Sequence, residues 1–327
     1  LHTIRTVFRR GLAAAALAVL LAVQAAALPE TLIPGGNTLG IELDADGVLV
    51  VGFDDGTCTG AGGLKKGDLL RTVNGQPLRD TQTLLDALQG CGGAPLTVTA
   101  LRSGRETSIL LRPKYDDGTY RLGLFVRDSM AGIGTMTYYD PETGAYGALG
   151  HGVSDLDAST LLPLQAGRVL RSTVIEVRKG TSGAPGELKG AFDVRDTLGT
   201  IDRNTACGIF GTLAENISQN DPLPVAGRDE VTVGQAAILC NVQGQTVSEY
   251  AIEIEKLLPT GDGDGRNFMI RVTDPELLRL TGGIVQGMSG SPIVENGKIV
   301  GAVTHVLVND PTAGYGIFIE NMLEAAA

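Results

Sequence analysis

The sequence predicts a mainly β protein, with a small α+β unit at its N-terminal end and a larger all-β domain after it. Three observations carry this. Glycine accounts for 46 of 327 residues, with 14 prolines and no tryptophan, a composition suited to tight turns between short strands. Beyond residue 115, short apolar runs recur between Gly, Asp, Asn and Pro, the texture of strands and turns. Earlier, Leu84, Leu85 and Leu88 fall at helical spacing, with Asp80 or Thr81 available as N-cap and Gly90 as stop. Hydrophobic residues at 43% and charged residues at 19% exclude a disordered or collagen-like chain, and the length suits two domains.

The first residues stand apart from the fold. Arg5, Arg9 and Arg10 precede an uncharged apolar run from Gly11 to Leu28, with Ala25-Ala26-Ala27 near its end. Residues 1–28 therefore read as a signal peptide or a membrane anchor. Ala25-x-Ala27 fits a cleavage site, whereas the length of the run sits at the lower limit for a span. The formal charge is −11, from 37 acidic and 26 basic side chains, which argues against nucleic acid as a partner. Export permits disulfides. Cys58 with Cys91 and Cys207 with Cys240 is one of three pairings, and four buried free thiols are the alternative. The absence of CxxC or a His/Cys cluster argues against a metal site.

Within 29–114, Leu39–Leu43 and Val48–Phe53 read as strands of a hairpin turning at Asp44-Ala45-Asp46-Gly47. A third strand lies between the Gly67-Asp68 and Asn74-Gly75 turns, the helix covers Thr81 to Gln89, and Leu96–Leu101 and Ser108–Leu111 close the unit. This order, and the run Gly63-Leu64-Lys65-Lys66-Gly67-Asp68-Leu69-Leu70 with Val73-Asn74-Gly75, resembles a PDZ domain of the bacterial protease-associated type. The resemblance implies that an apolar-Gly-apolar loop, matched here by Leu39, Gly40 and Ile41, turns its amides toward a peptide carboxylate while the peptide adds to a sheet edge. The bland reading is an edge that binds a neighbouring segment of the same chain.

Asp116-Asp117-Gly118-Thr119 reads as a linker into 115–327, where the many short strands would fill two packed Greek-key barrels. Pro275 to Leu280 is the one convincing helical turn there.

Only His151 and His305 lie outside the export segment. His151 sits in Gly150-His151-Gly152-Val153-Ser154-Asp155, between glycines that let the backbone turn sharply. Gln286-Gly287-Met288-Ser289-Gly290-Ser291-Pro292 supplies what a nucleophilic serine needs: a tight turn presenting Oγ, and N–H groups of Gly287 and Ser289 able to converge on one oxyanion. Ser291 is the poorer nucleophile, because Pro292 follows it directly.

Gly-x-Ser-Gly-x-Pro at residues 287–292, followed by a hairpin and Val300-Gly301-Ala302-Val303-Thr304, is similar to the nucleophile region of chymotrypsin-like peptidases. Together with Gly150-His151-Gly152-Val153-Ser154-Asp155, Thr273-Asp274-Pro275 and Ala302-Val303-Thr304-His305, it resembles the SpoIVB sporulation peptidases, which join an export signal or anchor, a PDZ domain and a double-barrel peptidase domain. The resemblance implies Ser289 as nucleophile, His151 as base and Asp274 as the orienting carboxylate. Asp274 is also an ordinary helix N-cap before Pro275, Asp155 is its rival, and a Ser-His dyad is the third option. By the same resemblance Thr304 and His305 lie on the strand that lines the substrate pocket. For His305 the alternative is a structural histidine bonded near Asn309-Asp310-Pro311.

The implied protein is an exported serine endopeptidase without cofactor or metal, acting in the intermembrane space around the forespore. Its partners would be a regulator of an intramembrane protease, whose cleavage activates a late sigma factor, and peptide termini at the PDZ domain. A catalytically idle PDZ scaffold and a broad-specificity quality-control protease are the alternatives.

Overall fold

The computed structural model describes residues 28–54, 62–155, 160–258 and 265–327. The export segment and Cys58 lie outside these, and with them the Cys58–Cys91 pairing. Among the described residues no helix is long and apolar enough to cross a membrane.

A short strand with one apolar face buries that face only by pairing into a sheet that closes or packs. The C-terminal part closes. Gly234–Gln243, Thr246–Leu257, Phe268–Val272, Asp310–Phe318, Lys298–Leu307 and Pro292–Glu295 bond in that order around a barrel. Alternation along Thr246–Leu257 turns Tyr250, Ile252 and Ile254 inward and their neighbours outward. Inside, they meet Phe268, Ile270, Met288 and Val303.

A second ring uses the first half of Thr38–Phe53, the second half of Leu124–Tyr139, Ala145–Ala148, Gly208–Thr212, Glu187–Thr200 and Leu164–Arg178. Its last seam is the bridge between Gly199 and Leu213. The approach there is too close for a side chain, since a Cβ on Gly199 would lie 2.0 Å from the Thr212 carbonyl oxygen. Leu39, Leu43, Met136, Tyr146 and Val169 fill the interior. The double barrel thus forms, but one of its strands comes from a region the sequence reading gave to the N-terminal unit.

That placement corrects three expectations. Thr38–Phe53 is one continuous strand and not a hairpin. Its register against Leu124–Tyr139 jumps between Asp44↔Ser129 and Leu49↔Arg127, so the expected turn residues form a bulge. Leu39, Gly40 and Ile41 are no peptide-binding loop: they pair with Gly134, Ile133 and Gly132 on one side and with Arg171, Leu170 and Val169 on the other. Both edges are taken, so no ligand strand can add. The unit drawn as 29–114 is instead an insertion into the first barrel, entered along Thr38–Phe53 and left along Leu124–Tyr139.

The insertion has its own core, in which Val48, Val50, Leu70, Val98 and Leu111 pack against Leu84 and Leu88 of helix Thr81–Gly90. Asp80 caps that helix, accepting from Thr83 N–H at 2.7 Å. Asp68 is fully buried and accepts from Lys65 N–H and from the Arg102 guanidinium, each at 2.7 Å, so its charge is compensated. The expected linker is a tight hairpin, Lys114–Asp116 with Thr119–Arg121, turning through Asp117 and Gly118 at positive φ.

Cys207 and Cys240 are free thiols. Cys240 lies in the core of the C-terminal barrel, where burial raises its pKa, whereas Cys207 packs beside the C-terminal helix Ile319–Ala326. Their positions in different cores rule out the expected bond.

Candidate active site

Residues 286–292 form a tight loop because glycines take the positions that other residues resist. Gly287 and Gly290 have φ of +97° and +96°. Ser291 N–H and Oγ both close back onto the Met288 carbonyl, at 3.0 and 2.7 Å. The N–H groups of Gly287 and Ser289 donate to no acceptor among the described residues, which leaves a pair of amides available to an oxyanion.

The first barrel grips this loop. Thr135 donates its N–H to the Ser289 carbonyl at 2.9 Å and its hydroxyl to the Gly287 carbonyl at 2.8 Å. Thr137 donates to the Gly290 carbonyl at 2.8 Å. The same Thr135 accepts, through its own carbonyl, from Leu149 N–H at 3.1 Å, and Leu149 begins the turn that carries His151. Leu149 and Gly150 lie at φ +71° and +69°. For a buried leucine this is a strained conformation, costing on the order of 1–3 kcal/mol.

His151 Nδ1 lies 3.0 Å from the Gly152 carbonyl. That acceptor requires the proton on Nδ1 and leaves Nε2 with its lone pair, the tautomer a general base needs. Burial lowers the His151 pKa, and the Gly152 bond opposes it more weakly. Among the described residues no carboxylate is hydrogen-bonded to the ring. Asp274, the expected orienting residue, is spent as the N-cap of helix Pro275–Thr281: its Oδ1 accepts from Glu276 and Leu277 N–H at 2.9 and 3.0 Å. Its rival Asp155 is fully buried in an ion pair with Arg127.

Ser289, His151, Thr304, His305 and Gly287 line one cleft of about 700 Å³. The rings of His151 and His305 are 5.2 Å apart and tilted by 39°. In this conformation the Ser289 hydroxyl donates to the Thr304 carbonyl at 2.7 Å, while the Thr304 hydroxyl donates to Gly265 O at 2.9 Å. The remaining walls are mainly apolar, including Leu43, Ile133, Val153, Leu161, Ile284 and Val306, and no charged side chain lines the cleft among the described residues. Ile41, expected in a peptide loop, lines this cleft instead. Sequence reasoning missed Thr135, Leu149 and the walls supplied by Leu43 and Ile133. Nothing local marks them, because each acquires its part through strand pairing.

A PDZ-domain model matches residues 60–102. A Lactococcus lactis protein named as a zinc metalloprotease, LL2128, is 34% identical over 71 residues, 22% of this chain and 17% of that protein; the chain thus spans less than two thirds of this curated relative. Among solved structures, the PDZ domain of the SdrC-like protein of Listeria monocytogenes is similar over 25% of this chain and 87% of its own, at 20% identity and a TM-score of 0.23. The Rv3671c protease of M. tuberculosis in its active form is similar over 60% of this chain and 73% of its own, at 13% identity and a TM-score of 0.34. The model described as SpoIVB peptidase S55 matches residues 118–323, more than half of the sequence, and the chain belongs to that family.

Proposed function

We propose that the protein is a serine endopeptidase in which Ser289 is the nucleophile and His151 the base. The observation that carries this reading is the meeting, in one cleft, of Ser289, a neutral His151 with Nδ1 engaged, and two unengaged amides at Gly287 and Ser289. Rotation of Ser289 about χ1 exchanges the Thr304 carbonyl for the His151 ring. His151 then takes the hydroxyl proton as Oγ attacks the scissile carbonyl, and the Gly287 and Ser289 amides hold the oxyanion. His151 passes the proton to the leaving amine, and water resolves the acyl-enzyme. Among the described residues it is the Gly152 carbonyl that fixes the His151 tautomer.

The apolar walls that the described residues supply favour a substrate that places apolar side chains beside the scissile bond, with His305 and Thr304 in the pocket that receives them. Membership of the S55 family supports one further step: discrete cleavage of a regulator during sporulation, which activates an intramembrane protease and through it a late sigma factor. The basic residues Arg5, Arg9 and Arg10 ahead of an apolar run support export across the cytoplasmic membrane, with the segment cleaved or kept as an anchor.

Treatment with a fluorophosphonate probe, followed by mass spectrometry, tests the reading. Label on Ser289 that disappears in His151→Ala is expected. Folded protein without label would favour an idle scaffold, and indiscriminate digestion of unfolded proteins would favour a quality-control protease.

A further inference from the structure

The sequence carries no local metal-binding motif, yet the fold brings two distant histidines together. The rings of His151 and His305 line one cleft with their centroids 5.2 Å apart and their planes tilted by 39°. Two imidazoles that share one tetrahedral Zn²⁺, each with its nitrogen about 2.0–2.1 Å from the ion, have ring centroids about 5 Å apart. The pair therefore stands at chelating distance with the backbone where it is. His151 is already arranged as a metal ligand is. Its Nδ1 lies 3.0 Å from the Gly152 carbonyl, which leaves the Nε2 lone pair for the ion, and a carbonyl on the far nitrogen is the usual outer support of a zinc-bound histidine. Nδ1 of His305 is buried, so Nε2 is the nitrogen that this ring offers.

The surroundings select the kind of ion. Among the described residues no lysine or arginine lines the cleft to repel a cation, and no carboxylate lines it to supply the oxygens that Ca²⁺ or Mg²⁺ requires. Imidazole nitrogens suit the borderline dications instead. Among the described residues no third His, Cys, Asp or Glu gathers with the pair.

We infer that His151 and His305 form a reversible binding site for a dication of the Zn²⁺ class, with water completing its tetrahedron. Two protein ligands hold such an ion more weakly than the three or four of resident zinc sites, so occupancy follows the free metal around the protein. The bound ion takes the Nε2 lone pair that would otherwise receive the Ser289 proton, and the cleft is switched off until the metal leaves. This switch rests on the reading of His151 as the base; the metal site itself does not.

The test titrates the full chain with Zn²⁺ by calorimetry and with Co²⁺ by visible absorption, beside His151→Ala, His305→Ala and His305→Gln, each shown to be folded by its thermal transition. Saturable binding by the unaltered chain, at least about tenfold weaker in all three variants, is expected from the loss of one of two ligands. Binding that is absent, or unchanged in any folded variant, would overturn the site. Thiolate charge transfer in the Co²⁺ spectrum would place the ion on the cysteines and overturn it as well. Fluorophosphonate labelling then reads the switch: with Zn²⁺ bound, label on Ser289 should form at least about tenfold more slowly, as when a general base is lost, and recover with EDTA. Labelling at an unchanged rate would overturn the switch. A chain that binds Zn²⁺ through both histidines but never labels at Ser289 refutes the peptidase reading and leaves the metal site in place, so the two failures are distinguishable.

Discussion

Gly290 and Leu149 meet backbone to backbone: a Cβ on Gly290 would lie 2.5 Å from Leu149 N and 2.0 Å from the Thr135 carbonyl oxygen. The Ser289 loop of one barrel is thereby pressed against the turn that carries His151 in the other. The position of Ser289 relative to His151 is fixed by backbone contacts more than by any bond between their side chains.

Gly290→Ala is therefore expected to disrupt the site outright. The added methyl meets only backbone, and φ of +96° resists any side chain. The loss should reach several kcal/mol, in the class of strained-backbone substitutions. Thermal unfolding should move downward, and probe labelling of Ser289 should vanish even in protein that remains folded.

Thr135→Val should leave the fold in place and slow the reaction. Thr135 is fully buried, and its hydroxyl holds the Gly287 carbonyl, in the peptide that lies between the two amides. Loss of that bond costs about 1 kcal/mol of stability. Looser amides should lower kcat by roughly tenfold, with KM nearly unchanged, which steady-state kinetics on a cleavable peptide can resolve.

Asp274→Ala separates the cap from the triad. The structure assigns Asp274 to the start of helix Pro275–Thr281, so the variant should lose about 1 kcal/mol of stability while kcat/KM stays within a factor of about two, a change of less than 0.5 kcal/mol. A fall of about a hundredfold or more in kcat at unchanged KM would restore Asp274 to the catalytic machinery.

The dependence on pH follows from the environment of His151. Burial favours the neutral ring, so the folded protein binds this proton more weakly than the unfolded chain does. Activity should rise with pH along an acidic limb whose midpoint lies below about 6.5, the ordinary histidine value, and then stay level through neutrality. Stability should fall as pH drops through the histidine range, since protonation is easier in the unfolded state. Both curves should lose this feature in His151→Gln.

The tight turn around Ser289 was legible because it is local: glycines, a serine and a proline within seven residues specify it. His151 was legible by elimination, in a chain with so few histidines. The strand character of Leu39–Leu43 was legible too, but its partners were not, since an apolar run reads alike beside Leu70 or beside Val169. That ambiguity made Leu39, Gly40 and Ile41 read as a free loop and hid the insertion. Asp-Pro-Glu at 274–276 carried its helix-capping signature openly, and the local reading described the residue better than the analogy did.

The insertion also orders events as the chain is made. Residues 38–45 emerge early but can complete no barrel until 129–135 follow, with the inserted unit lying between them. That unit has its own core and spans fewer residues than the barrel around it, so it can close first. Once closed, it holds the two halves of the ribbon side by side and removes most of the loop-closure cost of joining them. The inserted unit thus acts as a built-in assembly clamp for the barrel around it, and a truncation meant only to delete a binding module would also take away the element that brings two barrel strands together.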